Sequence, residues 1–110
     1  MDDLRKERLA INEALYRNVN EGIRAGARER ERGGTLSIRC ECGTLGCNRL
    51  FDVPHEVYEA TRAESRRFLL LEGHDVPEVE RVVERHEGFM VVEKVAESGG
   101  IADATDPRSR

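Results

Sequence analysis

The sequence predicts an α+β domain: a small antiparallel sheet with a long N-terminal helix packed across it and two shorter helices. Three observations carry that expectation. Apolar residues recur at helical spacing through the first quarter of the chain. Short apolar or alternating segments bounded by Gly and Pro follow. All three cysteines fall in one compact group, Cys40-Glu-Cys42-Gly-Thr-Leu-Gly-Cys47.

Residues 3 to 32 read as one helix, in which Leu4, Ile11, Leu15, Val19 and Ile23 form an apolar stripe that Leu9, Tyr16 and Ala27 widen. Asp2 and Asp3 suit the positive end of its dipole, Arg28, Arg30 and Arg32 the negative end, and Gly33-Gly34 stops it. The stripe is too broad for a coiled-coil seam, so it is expected to face the sheet. Gly22 and Gly26 weaken its last third.

Thr35 to Cys42 alternates, with Leu36, Ile38, Cys40 and Cys42 on one side and Ser37, Arg39 and Glu41 on the other, the pattern of a half-buried strand. Leu50-Phe51 begins the return strand. Pro54 opens a helix to about Arg67 with Val57, Tyr58, Thr61 and Phe68 inward. Phe68 to Leu71 is a short apolar strand and Gly73-His74-Asp75 a loop. Pro77 is expected to open a helix carrying Val79, Val82, Val83 and His86, and Phe89 to Val95 forms the last strand. Residues 1–97 then make a single metal-stabilised domain, and 98–110, with Gly99-Gly100 and Asp106-Pro-Arg-Ser-Arg, a disordered tail.

Composition narrows the function. With 110 residues, 38% hydrophobic, 5% aromatic and no Trp, the core is marginal, and small scaffolds of this kind add a metal or a partner. A net charge of −4 argues against a general nucleic-acid binder, which is normally basic. The charge is uneven: five Arg against two Glu between Arg24 and Arg39, eight acids against three bases between Glu72 and Glu97. Such complementary segments either dock on one another or form a solvated mixed surface. No apolar run approaches the roughly 20 residues that cross a bilayer, and the start is charged from Asp2 to Arg8, unlike a signal peptide. An odd number of thiols leaves one over from any disulfide framework, so a reducing cytoplasm is the expected setting.

Three soft sulfur donors within eight positions point to a metal, and a tetrahedral zinc site then lacks one ligand. Residues two apart on a strand share a face but lie roughly 6.5–7 Å apart, so the chain must bend after Cys42. Gly43 permits that bend, and Gly46 turns Cys47 back toward the pair. The metal ligands read from this pattern are Cys40, Cys42, Cys47 and, as the fourth, His74 in its Gly-flanked loop. His55 after Pro54, His86 on an apolar face and Asp52 are the competitors. Buried structural thiols, or a redox pair drawn from the three cysteines, are the readings without zinc.

Leu4, Asn12-Glu13, Val19-Asn20-Glu21, Cys40-Glu-Cys42-Gly, Tyr58-Glu59, Arg62, Phe68, Gly73-His74 and Val91-Val92-Glu93-Lys94, taken as a set, resemble a family of short actinobacterial proteins of no established activity. The resemblance spans most of residues 4 to 95 and implies pairing of the three cysteines with Gly73-His74. The chain departs from the family pattern at Val57, where Glu is more usual, and at Thr44-Leu45.

Two further constellations stand out. Asn12, Tyr16 and Asn20 fall four residues apart, either lining a pocket or tying the helix to a neighbouring loop. Arg62, Arg66 and Arg67 with Arg24, Arg28 and Arg30 form either an anion site or solvated helix faces. No HxE element stands beside a cysteine pair, and no Ser/His/Asp spacing supports nucleophilic catalysis. The expectation is a non-enzymatic interaction or regulatory module, contacting a protein partner or a second copy through the N-terminal helix. A thiol-redox or zinc enzyme is the alternative.

Overall fold

Asp2 caps the first helix: its carboxylate accepts the Arg5 backbone N–H at 2.8 Å, at the terminus where four amides lack helical partners. In the computed structural model, which describes residues 2–27, 34–44 and 46–108 apart from the side chains of 96–98, α1 spans Asp3–Gly26. Ala27 is already extended, so the helix ends earlier than the sequence predicts, after its two glycines. Arg28, Arg30, Arg32 and Gly33 lie outside the described residues.

β1 (Thr35–Arg39) and β2 (Leu50–Pro54) form an antiparallel pair in register from Thr35↔Pro54 to Arg39↔Leu50. Pro54 ends β2 and α2 (His55–Arg62) follows at once, burying Tyr58, Thr61 and Arg62. β3 (Arg67–Leu71), β4 (Glu80–Arg85) and β5 (Phe89–Lys94) make a second antiparallel sheet in the order β3-β5-β4. The chain is thus α+β, with two small sheets among the described residues instead of one.

The unbroken apolar runs at 68–71 and 89–92 have a direct structural reason: β3 and β5 are covered on both faces. Leu69, Phe89 and Val91 pack with Leu36, Ile38, Val53 and Tyr58. On the other face, Phe68, Leu70, Met90 and Val92 pack with Cys40, Cys42 and Ala102. The knuckle therefore sits on the sheet face opposite the β1–β2 core.

Two expected elements change identity. The segment after Pro77 is a strand, not a helix. Val82 packs toward one face and Val83 toward the other, as adjacent strand residues do, and with Val79 they imitate helical spacing; a bulge between Val82 and Glu84 shifts the register there. The segment read as a disordered tail instead contains α3 (Ala96–Ala104), with Ala102 buried. Arg17 holds it by donating to the Ala102 carbonyl at 2.9 Å and to Thr105 Oγ1 at 3.1 Å, Arg66 pairs with Asp103, and Arg108 pairs with Glu21 and Glu59.

The largest departure concerns α1. Its apolar stripe faces outward: Leu4, Ile11, Leu15, Val19 and Ile23 are 57%, 51%, 56%, 43% and 36% exposed. The buried side holds Ala10, Glu13, Ala14, Tyr16, Arg17 and Asn20. Burying polar groups is tolerable only where each finds partners. Arg17 reaches the Ser65 carbonyl at 2.6 Å in addition to α3, and Asn20 binds the Arg39 backbone in both directions. Glu13 pairs with Lys94, which also binds Glu80 at 2.9 Å.

That last group holds two carboxylates against one ammonium. Burial pushes the Glu13 carboxyl well above the usual range, Lys94 opposing and Glu80 reinforcing the shift, and among the described residues Glu13 Oε2 has no hydrogen-bond partner. A carboxyl with a raised folded value holds its proton more tightly in the folded state. Its contribution is full below the ordinary carboxylate range and is lost as pH rises through the folded value. Glu13→Gln keeps the shape without the titration. Denaturant midpoints measured from about pH 5 to about pH 9 are expected to fall for the native chain and to flatten for the variant. Equal slopes would refute this role for Glu13.

Candidate metal centre

Glu41 positions the site, although its alternation with the cysteines marks it as a solvent-facing residue. The side chain is fully buried. It accepts Arg62 Nη1 and Nη2 at 2.7 and 2.8 Å, Asn20 Nδ2 at 2.7 Å and the Leu69 backbone N–H at 2.9 Å. Its own N–H donates to the Leu69 carbonyl at 2.9 Å. The residue between Cys40 and Cys42 is thereby clamped to β3, α1 and α2 at once, which fixes the two flanking side chains. Burial alone would lower the Arg62 pKa, but the charge and hydrogen bonds of Glu41 raise it above its ordinary value.

The Asn12–Tyr16–Asn20 ridge serves the same strand. Asn12 Nδ2 donates to the Gly43 carbonyl at 3.1 Å, Asn20 binds Arg39 and Glu41, and the Arg39 guanidinium stacks 3.9 Å from the Tyr16 ring. The ridge ties helix to knuckle. Gly43 sits at φ +73, and a Cβ there would stand 2.8 Å from Glu13 Cγ and from the Leu9 carbonyl oxygen, so both its conformation and its close approach to α1 require glycine.

From this scaffold Cys40, Cys42 and Cys47 converge with His74 from the β3–β4 turn. One donor atom from each residue lies within 4.8 Å of the other three. His74 Nδ1 is 3.6 Å from Cys40 Sγ and 3.8 Å from Cys47 Sγ. Zinc–sulfur and zinc–nitrogen bonds of about 2.3 and 2.0–2.1 Å at tetrahedral angles separate S from N by about 3.6 Å, so these spacings fit one ion at the centre.

Backbone contacts hold three of the four donor residues. The Leu71 N–H donates to Cys40 Sγ at 3.3 Å, Cys47 N–H to the Thr44 carbonyl at 3.1 Å, Arg39 to the Cys47 carbonyl at 2.7 Å, and His74 N–H to the Leu71 carbonyl at 3.1 Å. The thiols also act on one another. A hydrogen bond from Cys40 brings the Cys42 thiol down to about 4 against the opposing effect of burial, with His74 and Thr44 assisting. The same hydrogen bond and then burial push the Cys40 thiol far up. A thiolate stabilised by neighbouring donors is the form that binds a cation.

The competing ligands lie elsewhere. His86 stacks on Phe89 with ring centroids 4.6 Å apart and contacts Glu84 Oε1 at 2.8 Å. His55 begins α2 and Asp52 lies on β2, and neither belongs to the donor group. Of the arginines read as either an anion site or solvated helix faces, Arg62 pairs with Glu41, Arg66 with Asp103, Arg67 with Glu93 and Arg24 with Glu59, while Arg28 and Arg30 lie outside the described residues. A hollow of about 400 Å³ beside the knuckle is lined by residues including Arg5, Arg8, Asn12, Gly43 and Thr44, and by none of the four donors.

Among the described residues no helix is long and apolar enough to cross a membrane. Compared with known proteins, the chain matches no family model, no curated protein and no solved structure.

Proposed function

We propose that the chain is a small cytoplasmic zinc protein in which a structural Cys40/Cys42/Cys47/His74 site supports a non-enzymatic interaction or regulatory module. The observation that carries this reading is the convergence of four donors from two separate turns at spacings that suit one tetrahedral ion. A complete set of four protein ligands leaves no position for water or substrate, the mark of a structural rather than a catalytic zinc. The soft donor set favours zinc over magnesium or calcium, which take oxygen ligands. The resemblance to short actinobacterial proteins adds the bacterial setting and no activity. Interaction is the proposed role because α1 turns five large aliphatic side chains to solvent.

Crowding of Cys40 and Cys42 also gives a thiol-redox role a physical basis. Elemental analysis of freshly purified protein, with thiol titration of the same sample, separates the two. One zinc per chain with thiols protected until a chelator is added is the expected result. Protein free of metal that shows a reversible dithiol–disulfide couple would overturn it.

A further inference from the structure

We propose that α1 pairs with α1 of a second copy of this chain, antiparallel, about a two-fold axis beside Leu15. This deepens the interaction half of the proposed function and rests on it. Leu4, Ile11, Leu15, Val19 and Ile23 lie on the side of α1 opposite the buried one, and all are exposed. Between Ile11 and Gly26 that outward side carries no charge. The four charged residues of this stretch all turn inward or toward α2 and the C-terminal segment: Glu13 and Arg17 are buried, Glu21 binds Tyr58 and Arg108, and Arg24 binds Glu59. In a chain with 36% charged residues, a face this long without one requires an equally uncharged partner surface. A copy of itself is such a surface.

The face is also complementary to its own reverse. About an axis at Leu15, Ile11 meets Val19 of the second copy, Leu4 meets Gly26 and Arg8 meets Gly22. An added Cβ at either glycine would meet nothing within 4 Å, so both are open to receive the longer side chains. Parallel pairing would set Arg5 and Arg8 against their own copies and leave the glycine ends facing one another. The antiparallel arrangement instead brings these exposed arginines to the carbonyl end of the opposing helix, where positive charge is favourable. Five side chains about half exposed present on the order of 400 Å² per copy, and the pair with its flanks approaches about 1,000 Å², a size that fits a dissociable dimer.

Sedimentation of the zinc-loaded chain from about 1 to about 200 µM is expected to show a monomer–dimer equilibrium. Leu15→Arg, which sets like charges on the axis, is expected to abolish it while circular dichroism and zinc content stay unchanged. Leu15→Cys should cross-link to its own copy under mild oxidation. Leu4→Cys should not, since 11 residues from the axis at about 1.5 Å each separates the two copies by about 33 Å. A chain monomeric throughout, a dimer that survives Leu15→Arg, or efficient cross-linking through Leu4→Cys would each overturn the proposal, the first leaving the face to a different protein. Zinc measured in the same samples distinguishes failure of the pairing from failure of the metal site: a metal-free dimer refutes the zinc site and supports the pairing, and a zinc-loaded monomer does the reverse.

Discussion

His74→Ala is expected to lower zinc affinity by at least about tenfold and to destabilise the whole domain, whereas His55→Ala and His86→Ala retain one zinc per chain. The asymmetry follows from position. His74 comes from the β3–β4 turn and the three cysteines from the β1–β2 connection, so an ion held by all four joins the two sheets. His86 has only its stack on Phe89 and its contact with Glu84 to lose, about 1 kcal/mol. Small zinc domains bind their metal with apparent free energies of about 10–16 kcal/mol, as large as the total stability of about 5–15 kcal/mol typical of a domain. Complete removal of the metal by a strong chelator should therefore melt the fold cooperatively. Metal content by elemental analysis and thermal unfolding with and without chelator decide the matter. An unchanged midpoint after verified metal removal, or zinc lost from His55→Ala and kept by His74→Ala, would refute the assignment.

The candidate site is legible in the sequence because metal chemistry is local. Three thiols in eight positions, two glycines where the chain must bend and a glycine-flanked histidine are features that residue types disclose without a fold. The orientation of α1 is not legible, because periodicity reports which residues share a side and not which side is covered. Leu4, Ile11, Leu15, Val19 and Ile23 do share one side, as the spacing requires. The fold lies against the opposite one because Glu13, Arg17 and Asn20 find partners on β5, α3 and the end of β1, contacts with residues 19 to 85 positions away. Glu41 eludes the sequence for the same reason: a charged residue in an alternating strand looks solvent-facing until Arg62, 21 residues on, is brought to it. β4 imitates a helix because both its faces are partly covered, so Val82 and Val83 are adjacent apolar residues where a one-sided strand would alternate.

The Glu41–Arg62 pair should prove the most costly single contact in the core to break. Both side chains are essentially excluded from solvent, at 0% and 1% exposure. A buried ion pair adds little net stability compared with apolar packing, but deleting one partner leaves an uncompensated charge and typically costs about 3–5 kcal/mol. Glu41→Gln strands the Arg62 guanidinium, whose Nε already lacks a partner among the described residues. Arg62→Met strands the Glu41 carboxylate with only Asn20 and the Leu69 N–H to hold it. Each is expected to lower the unfolding free energy by about 3–5 kcal/mol. The double variant should cost clearly less than the sum, by more than the roughly 0.5 kcal/mol within which independent sites add. Because Glu41 fixes the backbone between Cys40 and Cys42, both single variants should also weaken zinc binding without removing a ligand. Denaturant unfolding of the four chains of the cycle, each with its zinc affinity, checks both statements. Additive losses, or single variants costing under about 1 kcal/mol with unchanged affinity, would show that the clamp on Glu41 does not hold the knuckle in place.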